Sequence, residues 1–210
     1  MAERSRPNGL SSQMERTRSA IVAAARELAD TGAEITMPKV AAEARVSEAT
    51  AYRYFPDLLS LLRAAVMTED LVAVLRSATR GDDPVERIGQ AAEILGRAVL
   101  RRQGAVRVVV ASTIAKPSTA GDRPAHRFGL IEHALAPWID SCGSAGRADV
   151  EQLVRGLALV ISAESLFALM DLCALPPDDA IAGLVTTARQ MTAAAVATIP
   201  PTPAPDRTTD

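Results

Sequence analysis

Residues 36–55, TMPKVAAEARVSEATAYRYF, decide the fold of this chain. Thr36 is a good N-cap, and Pro38 suits the first turn of a helix, where its missing N–H is no loss. Val40, Ala41 and Ala44 then make a short apolar stripe. Ser47 caps a second helix carrying Thr50, Tyr52 and Arg53, and Pro56 stops it. The turn at Arg45 and Val46 is too short to let the two helices run antiparallel. They must cross steeply, and the second projects from the surface. Val40, Ala41, Ala44 and Val46 are expected to face inward with Ala49 and Phe55. Ser47, Glu48, Thr50, Tyr52 and Arg53 remain outside, hydrogen-bonding side chains suited to base edges and phosphates in a major groove. A surface hairpin with polar residues facing water fits the same pattern.

Immediately upstream, Ile21, Val22, Ala25, Leu28 and Ala29 share one face of a helix expected over 15–30, which Gly32 ends as a left-handed cap. Taken together, residues 16–55 resemble the amino-terminal DNA-binding domain of TetR-family transcriptional repressors. The resemblance rests on Gly32, Thr36, Ala41 with Ala44, Val46 with Ser47, and the spacing Thr50, Tyr52, Phe55. It implies that Thr36 donates to a phosphate, that Tyr52 contacts the DNA backbone, and that Ser47 caps the recognition helix near a phosphate. Glu48, Thr50 and Arg53 would lie nearest the bases, with Glu48 suited to a cytosine amino group and Arg53 to guanine or a phosphate. Lys39 is a further phosphate candidate, and Arg45 at the turn completes the DNA-binding set. Three positions depart from the family pattern. Arg45 replaces the usual turn glycine, so the turn either avoids positive φ or strains Arg45. Ala49 stands where glycine is frequent, and Leu58 where a phosphate-contacting lysine is common.

Beyond this stretch, helical periodicity continues, with elements expected over 58–80, 84–103, 105–115, 124–142, 147–173 and 178–198. Pro137 is expected to kink or break the fourth of these. The segment AVRVVVAST is β-branched enough for a strand, but a lone strand would have no pairing partner, so it reads as helix. The expected fold is all-α with about nine helices. Polar residues 1–12 read as a disordered arm and the proline-rich residues 199–210 as a disordered tail. Between them lie an expected helix-turn-helix domain over 13–57 and an effector-binding and dimerisation domain over 58–198.

Composition agrees with close-packed helices. Aromatic residues make up 3% of the 210, so the core must come from Ala, Leu, Val and Ile. A formal net charge of −2 gives no bulk signature of a nucleic-acid binder, so such a function must come from local placement. No apolar stretch approaches the ~20 residues that span a bilayer. The amino terminus MAERSRPNGLSS lacks the apolar core of a secretory signal, so the chain is expected to be cytoplasmic, with no membrane partner. Cys142 and Cys173 are too few for a disulfide framework and read as two buried thiols. Enzyme chemistry has little support. The only histidines, His126 and His133, would stand ~10 Å apart along a helix, and no phosphate loop or nucleophile motif appears. No metal and no cofactor are expected.

The resemblance implies a homodimer on a palindromic, double-stranded DNA operator, with the last two helices pairing as a four-helix bundle. Independently, Leu153, Leu157, Val160 and Phe167 line one face of the 147–173 helix, while Val154, Ile161, Ala168 and Leu172 line another. Ile181, Leu184, Val185, Ala188 and Met191 make a further stripe. The expected dimer interface is therefore Leu153, Leu157, Ile181, Leu184, Ala188 and Met191. A helix buried within one monomer fits the same stripes. Phe128, His133, Trp138, Phe167 and Met170 are candidates for the pocket of a small apolar effector, although apolar residues at helical spacing more often form core. The function expected is a ligand-responsive, dimeric transcriptional regulator of the repressor type. The alternative is a helical protein–protein adaptor that keeps the fold without specific DNA binding.

Overall fold

The structure, a computed structural model, describes residues 9–66, 69–115, 126–142 and 146–199. Among these, eleven helices and no strand are present: α1 Gly9–Asp30, α2 Met37–Glu43, α3 Glu48–Tyr54, α4 Leu58–Val66, α5 Leu71–Ala78, α6 Pro84–Arg101, α7 Gln103–Ala115, α8 His126–Cys142, α9 Arg147–Val160, α10 Ala163–Asp171 and α11 Pro177–Thr198. The β-branched segment is helical, within α7. Helix α1 starts at Gly9, within the stretch expected to be a disordered arm. The expectations for residues 1–8 and 200–210 lie outside the described residues, while Ile199 is buried.

Two expected helices are each a pair, which accounts for eleven in place of nine. The 58–80 helix is α4 and α5, separated where Asp70 leaves helical geometry and its Oδ1 accepts from Ala73 N at 3.0 Å. An aspartate that caps competes with helix continuation. The 147–173 helix is α9 and α10, bent by 46°. There Ser162 is buried in extended geometry; its Oγ accepts from Ser165 N and donates to Leu159 O at 2.8 Å. Pro137, expected to kink or break α8, does not break it: the helix runs from His126 to Cys142. Arg87 takes the carbonyls that the proline disturbs, donating from Nη2 to His133 O at 2.8 Å and from Nε to Ala134 O at 2.7 Å.

The chain divides into two units at other places than the expected boundary after Asp57. One unit holds the residues up to Glu69 and again from Arg101 through α7; the other holds Asp70–Leu100 and the chain from α8 onward. In the first, Ile21, Val22, Val40, Ala51, Phe55 and Leu61 form one core, and Ala29, Leu62, Ala105 and Val109 another. Helices of seven residues, such as α2 and α3, do not persist alone in water. Burial holds them here, at about 1.5–3 kcal/mol for each large apolar side chain. Near Glu69 the same unit carries an ion cluster. Buried Arg102 pairs with Asp30 at 2.6 Å and with Glu69 at 3.0 Å, and Arg101 meets Glu69 at 2.7 Å.

In the second unit α6 and α11 run antiparallel. Glu86 pairs with Arg189 at 2.7 Å near one end and Arg97 with Asp178 near the other. Gly96 sits between, where a Cβ would come within 2.9 Å of Ile181, so the close approach requires glycine. Leu130, Ile131, Leu135, Leu157, Ile161 and Leu166 are fully buried in this unit. No single described helix is long and apolar enough to cross a membrane.

Candidate nucleic-acid interface

The first unit builds a rigid corner from local signals. Gly32, at φ 69, ends α1, and its N–H donates to Ala29 O. Thr36, extended, caps α2 by accepting from Lys39 N at 3.4 Å, which leaves its hydroxyl hydrogen free to donate outward. Helix α2 ends in a tight turn. Arg45 N donates to Ala42 O at 3.1 Å and Val46 N to Ala41 O at 2.9 Å, with Arg45 at φ 54. These bonds and the left-handed residue make a Schellman-type stop, with Val46 tucked against the core. Of the two possibilities left open for the turn, positive φ at Arg45 is the one adopted. Ser47 then starts α3, accepting from Thr50 N at 3.2 Å and sharing a 2.9 Å hydroxyl contact with Thr50 Oγ1. After Phe55, Asp57 caps α4 through Ser60 N at 2.7 Å.

This corner places the expected DNA-binding residues on the outside. Lys39, Arg45, Ser47, Glu48, Tyr52 and Arg53 are exposed; Thr36 and Thr50 are half-buried by their capping bonds. Tyr52 is an exposed aromatic at 47%. Ala49, expected inside, is exposed, and Ala51 is fully buried in its stead. The seven-residue helix turns its Ala51 and Phe55 side to the core, four positions apart, and residue 49 falls on the other side. Leu58 packs partly buried against both cores of the unit, so its side chain belongs to packing.

Electrostatically the face is balanced. Lys39 is paired with Glu34 at 3.0 Å, both largely exposed, so a stronger anion can displace Glu34 at little loss. Glu34 is a residue that sequence reasoning missed; its spacing of five from Lys39 is no regular helical one. The Arg53 guanidinium lies 5.4 Å from the centre of the Tyr54 ring, and Arg18 lies 5.2 Å from that of Phe55. Such contacts orient an arginine without neutralising it.

The second unit treats the remaining candidates differently. Phe128 is exposed and lines an open groove of about 660 Å³ between α8 and α9. Ile139, Cys142, Val150 and Val154 share the lining, with Glu132, Asp140, Arg147, Glu151 and Arg155. His133, Trp138, Phe167 and Met170 do not line this groove. Trp138 and Phe167 are buried in the packed interior, and the Trp138 indole nitrogen has no hydrogen-bond partner there. The α9 contribution, Arg147, Val150, Glu151, Val154 and Arg155, was missed by sequence reasoning, although its helical spacing is a signal that could have found it. Leu153, Leu157, Ile181, Leu184 and Ala188, expected at a dimer interface, are buried within the single chain, and Met191 is half-buried. The apolar side chains that do face outward there are Leu159, 74% exposed, and Leu172, 85% exposed. Of the two thiols, Cys142 is buried as expected and Cys173 is exposed.

A capped helix meeting a second across a tight turn, its polar face outward and its apolar face on a three-helix core, defines a helix-turn-helix protein. Residues 20–65 match the family described as bacterial regulatory proteins, tetR family. Over these residues the chain is similar to that family's DNA-binding, transcription-regulating domain. No curated protein matches the chain in sequence. Among solved structures, the chain is similar to the multidrug binding protein EbrR, determined in complex with imidazole. The two are 20% identical over 89% of this chain and 96% of that one, with a TM-score of 0.51. At that identity the likeness is one of fold.

Proposed function

We propose that the chain is a homodimeric transcriptional repressor that binds a palindromic operator and is released by a small effector. The observation that carries the DNA-binding part is the outer face of α3, where Ser47, Glu48, Tyr52 and Arg53 are exposed on a helix fixed at both ends by caps and core. Tyr52 and the Thr36 and Ser47 hydroxyls serve the phosphates; Glu48, Thr50 and Arg53 address base edges. A single module of this size binds weakly, and a second copy one helical turn away, ~34 Å, supplies the missing affinity.

The dimer forms through the surface that carries Leu159 and Leu172, the large apolar side chains left uncovered on α9 and α10. The effector occupies the groove beside Phe128, whose apolar floor and charged rim suit a small amphipathic molecule. The solved relative EbrR is itself named as multidrug binding, which supports an effector role for this half of the chain. Effector binding favours a state in which the spacing of the two recognition helices no longer matches successive major grooves.

Footprinting of the region upstream of the protein's own gene tests this reading. A protected inverted repeat is the expected result. Uniform or absent protection, with a soluble folded protein, favours the adaptor reading.

A further inference from the structure

We propose that Arg18 of α1 holds the far end of the recognition helix to DNA, pairing with a phosphate of the strand opposite that served by Thr36 and Ser47. The inference rests on the DNA-binding reading above and adds a contact from a helix to which that reading assigns none.

Helix α1 begins well before the core that it supports. Its first buried side chains are Ile21 and Val22, and residues 12–20 ahead of them are exposed except for half-buried Thr17. Residue 18 lies three and four positions before that buried pair, so it sits at the edge of the same face. The Arg18 guanidinium rests 5.2 Å from the centre of the ring of Phe55, the residue that ends α3. Phe55 is buried, whereas Arg18 is exposed. A guanidinium held over a ring keeps all its N–H donors. Among the described residues, none of these donors meets a carboxylate or another acceptor. The charge is thus fixed beside the end of α3 and left unpaired.

The length of α3 decides what that charge meets. Seven residues make a helix ~10 Å long, close to the ~12 Å width of a major groove, so phosphates lie beyond both ends of a bound α3. At the first end stand the Thr36 and Ser47 hydroxyls. At the other, Leu58 packs into both cores and brings no charge. Asp57 engages Ser60 N at 2.7 Å, at the start of α4, where the helix dipole offsets its negative charge. Arg53 rests over the Tyr54 ring and is assigned to base edges. Arg16 is turned back on its own helix, its Nε and Nη2 donating to Ser12 at 3.2 and 3.4 Å. Arg18 is the cation that α1 brings to this corner, and a guanidinium pairs with phosphate through two parallel donors.

The test uses the full-length protein and sheared double-stranded DNA of mixed sequence, with affinity measured against salt, beside the melting temperature. Arg18→Met keeps a long apolar cover on Phe55 and removes the charge. It is expected to make the slope of log affinity against log salt shallower by about 0.9 for each bound subunit. Its melting temperature should stay within about 4 °C of the wild type, the effect of losing one exposed contact between a cation and a ring. Arg18→Lys, which keeps the charge, should keep the wild-type slope. A slope lost equally in Arg18→Lys would overturn the assignment to charge. Failure of the wild type to bind duplex at any salt would remove the DNA-binding reading itself, and Arg18 with it. Normal wild-type binding whose salt slope Arg18→Met leaves untouched removes the Arg18 proposal alone, and Arg18 is then only a cover for Phe55.

Discussion

Arg87 serves the carbonyl of His133 that Pro137, lacking an N–H, leaves without its helical partner, with Nη2 at 2.8 Å and Nε on the neighbouring Ala134 carbonyl at 2.7 Å. A proline mid-helix normally kinks or ends it, yet α8 runs on to Cys142. That continuity matters for the groove, because Ile139, Asp140 and Cys142 lie beyond the proline while Phe128 and Glu132 lie before it. The substitution Arg87→Met should destabilise the protein by about 1–3 kcal/mol, the cost of leaving the part-buried His133 carbonyl without a donor. Adding Pro137→Ala restores an N–H for His133 O and should recover much of that loss. A coupling of about 1 kcal/mol or more in a denaturant-based double-mutant cycle checks it; additive effects would show that the arginine and proline act independently.

The Glu69 cluster predicts a defined acid sensitivity. Burial disfavours the Glu69 charge, but the hydrogen bonds and positive charges of Arg102 and Arg101 outweigh it and hold the carboxyl below the usual range. A folded-state value below the unfolded one stabilises fully above the unfolded value, about 4.3, and the gain disappears as pH falls through the folded value. The wild type should therefore melt higher than Glu69→Gln by a constant margin above about pH 5, with the margin shrinking below about pH 4. Melting curves over pH 3–7 for the two proteins measure this. A margin independent of pH would mean that the carboxylate contributes shape and not charge.

Self-association should depend on Leu172 and Leu159, which face outward, and not on Leu184. Leu172→Glu or Leu159→Glu should leave the helical signal intact and lower the mass found by light scattering to that of one chain. Leu184 is 2% exposed, so Leu184→Glu places a carboxylate in the core and should unfold the protein. An unchanged dimer mass for both surface variants would move the interface away from α9 and α10.

Leu58 separates packing from DNA contact. Half-buried against both clusters of the first unit, it should lose about 1–2 kcal/mol of apolar burial on substitution by lysine. The melting temperature of Leu58→Lys should fall while the salt slope of DNA binding stays at its wild-type value. A slope steeper by about 0.9 per bound subunit would show that the lysine reaches a phosphate.

The helix-turn-helix was legible because its signals are local. Thr36, Pro38, Ser47 and Pro56 each act within a few residues, and the structure uses each where the pattern placed it. Ala49 went the other way because a seven-residue helix gives too short a periodic signal to separate position 49 from 51. Elsewhere the apolar pattern identified helices but not their interruptions. Asp70 and Ser162 act as caps inside otherwise continuous stripes, and only tertiary packing decides that capping prevails there. The converse holds at Pro137, where the rescuing Arg87 is distant in sequence and carries no local mark. The expected dimer residues show a related limit: a stripe such as Leu153, Leu157, Ile181 and Leu184 shows that a face is covered, and its burial within the single chain is a long-range fact. The groove lay partly in reach, since Phe128 and the α9 stripe are periodic, but its pairing of α8 with α9 is a long-range fact.

The central claim is that the outer face of α3 reads DNA sequence. The most direct measurement is fluorescence anisotropy on a labelled duplex from the protected upstream region, in the presence of mixed-sequence competitor, for the wild type and Arg53→Ala. The wild type should stay bound at about a thousandfold excess of competitor. Arg53→Ala should lose about 1–3 kcal/mol on the labelled site while competitor binding changes little. Loss of the wild-type complex at the competitor level that displaces an unrelated duplex would contradict the account.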